Sequence, residues 1–163
     1  LRTYVTPKDS GDLLLYWQKG IGPFPSAEVT AGHDMIYKWK VICSRSGHEH
    51  AGNPGPDGKR RVLSRTAILP PGTVCTETYL VIGSYETDVE ASNLLAYLKT
   101  KFVRFLLATC MYSHGLTRDT FAYVPRLDMT VVWTDLSLYN RYGLSGEDIE
   151  VIESRIRPMD DDK

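Results

Sequence analysis

The chain has 163 residues, 42 % of them hydrophobic and 24 % charged, and a formal net charge of −1. That is enough for one domain with a real core, at proportions ordinary for a globular protein. No apolar run approaches the roughly 18–20 residues of a bilayer span. Three cysteines without a tight pair, Cys43, Cys75 and Cys110, argue against a disulfide scaffold and fit a reducing cytoplasm.

The first residues are polar and β-like, unlike a signal peptide, and the chain opens on Leu1 rather than Met. It therefore reads as a cytoplasmic piece of a larger protein, with one domain over 1–159 and a solvated tail over 160–163. In chain order, "TYVT" and "DLLLYW" have the residue types of short strands. "QKGIGPFPS" follows as turn punctuation. "YKWKVICS" (Tyr37 to Ser44) predicts a strand with Lys38 and Lys40 on one face.

From Ser44 to Arg61 the sequence "SRSGHEHAGNPGPDGKRR" has four glycines, two prolines and no large apolar side chain, so it predicts a long loop. "TVCTETYLVIG" (Thr73 to Gly83) is the strongest strand signal, β-branched and aromatic between glycines. On it, Thr76 and Thr78 share a face.

The apolar period then changes from 2 to 3.6. Thr87 with Glu90 three residues on reads as a capping box. Leu94, Leu95, Leu98, Phe102, Phe105 and Leu106 recur at helical spacing, predicting one long amphipathic helix that ends near Cys110. "FAYVPRLDMTVVWTD" reads as irregular to extended. Two short helices close the chain. One is capped by Thr134 and ended by Gly143; the other is capped by Ser145, with acids first and Arg155 and Arg157 last, as the helix macrodipole favours. The fold class is α+β: a mixed or antiparallel sheet, one long amphipathic helix and a C-terminal helical hairpin.

Net charge taken alone argues against a strong nucleic-acid binder, but the charge is unevenly spread. Residues 37–65 hold seven Lys/Arg and two acids, a local +5, and the remainder is −6. Such asymmetry points to a localised anionic partner. Structureless loops beyond about 12–15 residues are uncommon unless they are functional or disordered. Glycine-rich backbone approaches a phosphate closely, and Lys or Arg neutralises it. Arg45, Lys59, Arg60 and Arg61 are therefore the candidate nucleic-acid contacts, with His48 and His50 as adjuncts. Lys38, Lys40, Thr76 and Thr78 would flank the groove.

Other chemistries have weaker signals. Cys43, His33, His48 and His50 lie close in sequence, but the spacing lacks the tight ligand pairs of a zinc site. Asp57-Gly58-Lys59 with Asp34 upstream resembles a nuclease centre only in residue type, and Pro-Asp-Gly is a turn signal. There is no nucleophile elbow, P-loop or dinucleotide fingerprint. The two terminal helices suggest a helix-turn-helix, but the second opens with Glu147, Asp148 and Glu150, which phosphates would repel. That acidic hairpin could instead dock a protein partner.

"CTETYLVIG", "NLLAYLKTKFVRFLL", "FAYVP" and "WTDLSLYNRYGLSGEDIEVIESRIRPM" resemble, in this order, the C-terminal part of fused restriction–modification proteins. "YKWKVICSRSG" is similar to the segment that leads into that family's variable loop. The family joins an adenine-N6 DNA methyltransferase, often with a nuclease domain, to a target-recognition domain. The resemblance implies sequence-specific recognition of double-stranded DNA, with the methyltransferase domain of the same polypeptide as partner and no membrane. This segment would be non-catalytic and hold no cofactor or metal. S-adenosylmethionine, and Mg²⁺ if the parent also cleaves, would belong to the catalytic domains. Where the family has Lys-Ala-Tyr-Gly-like residues this chain has Arg45, Ser46 and Gly47, in a region expected to vary with the target.

Overall fold

The computed structural model describes residues 1–45, 54–111 and 116–159. His48 and His50 lie outside the described residues. The fold is α+β, with two three-stranded sheets and four α-helices among those residues.

The first sheet comprises β1 (Leu13–Trp17), β2 (Gly20–Phe24) and β5 (Thr73–Cys75), in the order β2-β1-β5. β1 is antiparallel to β2 and parallel to β5, so this sheet is mixed. Alternation explains β1: Leu13 and Leu15 are buried while Leu14 is exposed. The stretch read as turn punctuation supplies β2. Its Pro23 is tolerated because β2 is an edge strand, where a missing ladder N–H costs little. "TYVT" forms no strand; its Val5 N–H closes a turn onto Arg2 O at 3.1 Å. Gly11 passes so close to β2 that a Cβ there would lie 2.2 Å from the Phe24 carbonyl carbon.

The second sheet is antiparallel, in the order β4-β3-β6: β3 (Trp39–Ser44), β4 (Thr66–Leu69) and β6 (Tyr79–Tyr85). The single strand expected over Thr73–Gly83 is therefore two strands in two sheets. The chain leaves the first sheet after Cys75 and turns through Thr76–Thr78, with Tyr79 N–H donating to Thr76 O at 3.1 Å. It then enters the second sheet.

The long helix is also divided. α1 (Asp88–Lys99) starts on its Thr87 cap, whose hydroxyl accepts the Glu90 N–H. α2 (Lys101–Cys110) starts anew at Thr100, which has extended ψ and a hydroxyl that accepts the Val103 N–H. The Asp135 carboxylate accepts the Lys101 and Phe102 N–H groups at 3.1 and 2.9 Å, completing the α2 N-terminus. The apolar period runs through the break, so the periodicity did not reveal it.

The C-terminal hairpin is as expected. α3 (Asp135–Tyr142) has a Thr134/Ser137 capping box and ends at Gly143 with φ 62°. α4 (Gly146–Arg155) has a Ser145/Asp148 capping box. The main core lies among β3, β6 and the four helices, and a smaller cluster holds the first sheet. Among the described residues no helix is long and apolar enough to cross a membrane.

Candidate nucleic-acid interface

The described parts of the glycine-rich loop are its two roots. At the first, β3 runs out into Arg45. Its N–H donates to Thr78 O and its carbonyl accepts from Leu116 N–H, each at 2.9 Å, while the side chain is exposed. Among the described residues Arg45 makes no ion pair.

The second root, residues 54–61, is docked on the body. Pro56-Asp57-Gly58 forms the expected turn, with Gly58 at φ 74° and its N–H on Gly55 O at 2.9 Å. The Asp57 carboxylate accepts the Lys59 N–H at 3.1 Å and an Arg157 Nη2–H at 3.0 Å. Those two bonds hold its pKa below the usual carboxylate value. Lys59 Nζ donates to Glu153 O at 2.8 Å, so its ammonium sits at the carbonyl end of α4.

Arg60 then pairs with the end of α4 as a parallel bridge. Its N–H donates to Arg155 O at 2.8 Å, and its carbonyl accepts from Arg157 N–H at 3.0 Å. At Val62 the chain turns inward with φ 71°, and Leu63 N–H reaches back to Arg61 O at 2.9 Å. A three-residue turn with positive φ on a β-branched residue is strained. Val62 and Leu63, both buried in the core, hold it in place.

Arg104 fastens this junction from beneath. It is 1 % exposed, and among the described residues its side chain bonds to backbone carbonyls. Nε donates to Lys99 O at 3.0 Å and Thr100 O at 3.3 Å; Nη1 donates to Arg61 O at 3.2 Å and Arg157 O at 2.8 Å. Burial lowers its pKa to about 10, which leaves it charged at neutral pH. One buried guanidinium thus joins the helix break, the loop's second root and the segment after α4.

Several expected contacts are corrected. Lys40 cannot flank a groove: it is 3 % exposed, and its ammonium donates to Met35 O, Ile36 O and Lys38 O at 2.9, 3.0 and 2.6 Å. Burial pulls its pKa down to about 8. Lys38 precedes β3 and pairs with Glu86 at 2.9 Å. Thr76 is buried, and its hydroxyl donates to that of Thr78 at 3.1 Å. Lys59 is a helix-end partner, as described. Arg61 is half-buried, with its carbonyl on Arg104. Arg45 and Arg60 remain exposed.

The structure adds Arg155. Arg60 and Arg155 are exposed, make no ion pair among the described residues, and line one pocket of about 310 Å³ floored by Phe105, Ala108 and Ile156. Sequence reasoning assigned Arg155 to the helix dipole. Only the pairing of Arg60 with Ile156 places it beside the loop root, and nothing local in the sequence signals that contact.

Among the described residues no group of three His, Cys, Asp or Glu is placed to hold a metal ion, and His48 and His50 of the metal pattern lie outside them. Cys43 lies fully buried in β3, and burial pushes its thiol up to about 12. His33 Nε2 lies 3.1 Å from Val29 O. Asp57 and Lys59 are engaged as described. A larger cleft of about 640 Å³ lies between β6, α1 and residues 118–129, with Arg118 and Arg126 in its lining and, among the described residues, no His, Cys, Asp or Glu. No family model, curated protein or solved structure matches this chain.

Proposed function

We propose that this chain is the double-stranded-DNA recognition module of a restriction–modification methyltransferase, non-catalytic by itself. The observation that carries the reading is the placement of unpaired, exposed guanidinium groups. Arg45 stands at one root of the variable loop and Arg60 at the other, with Arg155 beside Arg60. Among the described residues none of the three has an acidic partner, so a polyanion would meet no internal competitor there. The ordered resemblance of residues 37–159 to target-recognition domains supports the same reading. In the parent protein this module would grip the site while the methyltransferase domain, with S-adenosylmethionine, acts on a flipped adenine.

The experiment is a binding selection from a randomised duplex pool, followed by affinity measurements across salt. One sequence should be enriched. Its affinity should fall steeply between about 50 and 200 mM salt, as phosphate neutralisation requires. A pool that emerges unenriched, with no duplex retained even at the lower salt, would overturn the proposal.

A further inference from the structure

The pocket shared by Arg60 and Arg155 is built, not incidental. The parallel bridge fixes the two residues side by side, with backbone bonds of 2.8 and 3.0 Å. Arg104 locks both following segments through Arg61 O and Arg157 O. Among the described residues the nearby acids are already matched: Asp57 by Arg157, and Glu153 by Lys101 and the Tyr139 hydroxyl. Lys59 covers the α4 carbonyl end, which would otherwise oppose an anion. Local charge among the described residues is therefore positive, and Arg60 and Arg155 carry it outward.

We infer that Arg60 and Arg155 together hold a single backbone phosphate, with its deoxyribose over the floor of Phe105, Ala108 and Ile156. Guanidinium groups donate in paired, charge-assisted geometry to phosphate oxygens. A pocket of about 310 Å³ suits a sugar-phosphate unit. Pre-set backbone at both arginines reduces the ordering cost of binding. This contact fixes orientation and reads no base. It rests on the DNA reading and assigns that reading an anchor of which the loop sequence supplies only Arg60.

The test measures duplex affinity against salt for the wild type, Arg60→Ala, Arg155→Ala, the double variant and Arg155→Lys. Arg2→Ala, on an exposed arginine paired with Glu77 near the first sheet, is the charge-matched control. The double variant should lower the slope of log affinity against log salt by about 0.9, one phosphate's worth. The affinity losses of the two single variants should not add, because both grip the same group. Arg155→Lys should keep the slope and lose part of the affinity.

A double variant with the wild-type slope, or with a drop about twice that size, overturns the shared site. If the wild type binds no duplex, inorganic phosphate titrated by NMR separates the two ideas. Shifts at Arg60 and Arg155 that vanish in the double variant keep the phosphate notch and discard the DNA reading. No such shifts discard both.

Discussion

Arg104 gives the sharpest test of how this structure holds together. Its guanidinium makes four bonds to carbonyls at 2.8–3.3 Å and, among the described residues, pairs with no carboxylate. Hydrogen bonds from a charged donor contribute about 1.5–3 kcal/mol each, but four on one group do not add. The cost of removal is set by what is left behind. Thr100 O keeps the Arg104 backbone N–H, and Arg61 O keeps the Leu63 N–H. Arg157 O keeps no other partner among the described residues. Arg104→Ala therefore leaves at least one orphaned carbonyl and a cavity where a fully buried side chain stood. We expect a loss of about 3–5 kcal/mol. Arg104→Met refills most of the volume and should lose about 1–3 kcal/mol. Urea unfolding at constant m-value measures both. Hydrogen exchange should also quicken at the Arg60 amide, whose bridge to α4 depends on this anchor. If Arg104→Ala costs less than about 1 kcal/mol and leaves Arg60 exchange unchanged, the junction is held by something else.

Further outcomes follow from other sites. Lys40 titrates near 8 in the folded protein against 10.5 when free. Between those values the unfolded chain binds the extra proton, so wild-type stability relative to Lys40→Met should rise as pH climbs from about 8 towards 10.5 and level off outside that window; a flat difference refutes the assignment. Gly11→Ala drives a Cβ into the Phe24 backbone. It should cost about 1–3 kcal/mol in chemical unfolding, and a neutral result would mean that the 1–12 segment does not press on β2. Asp135→Ala removes the side chain that receives two α2 N–H groups. A loss of about 1 kcal/mol, with faster exchange at Lys101 and Phe102, is expected; unchanged amides would count against the cap.

The helices were legible because their signals are local. Thr87, Thr134 and Ser145 each cap a helix within three residues, and Gly143 ends one by taking positive φ. The sheets were less so. "TVCTETYLVIG" shows β propensity throughout, and nothing in it says that Thr76–Thr78 crosses from one sheet to another. Propensity specifies extended backbone, not the partner. Lys40 shows the same limit, since an alternating Lys looks solvent-facing until its own preceding carbonyls are found to enclose it. At the candidate interface, charge density singled out the loop, and at its described roots Arg45 and Arg60 are exposed. What the sequence lacked was the contact across 96 positions that sets Arg60 beside Ile156 and so brings Arg155 into the site.

That contact also shows how a chain of net charge −1 can present a cationic surface. α4 begins with Glu147, Asp148 and Glu150 and ends with Arg155. At 1.5 Å per residue the first two of these acids, Glu147 and Asp148, lie about 10–12 Å along the axis from Arg155. That exceeds the Debye length of about 8 Å at physiological ionic strength, so those two acids are largely screened from the arginine at the other end. The loop root adds Lys59, Arg60 and Arg61 to the basic end alone. Docking there cancels the helix's negative terminus through Lys59 and leaves Arg60 turned outward. Residues 54–61, which carry no large apolar side chain, pack through their backbone, the Lys59 ammonium and the Asp57 carboxylate, and so set the Arg60 charge at a fixed place.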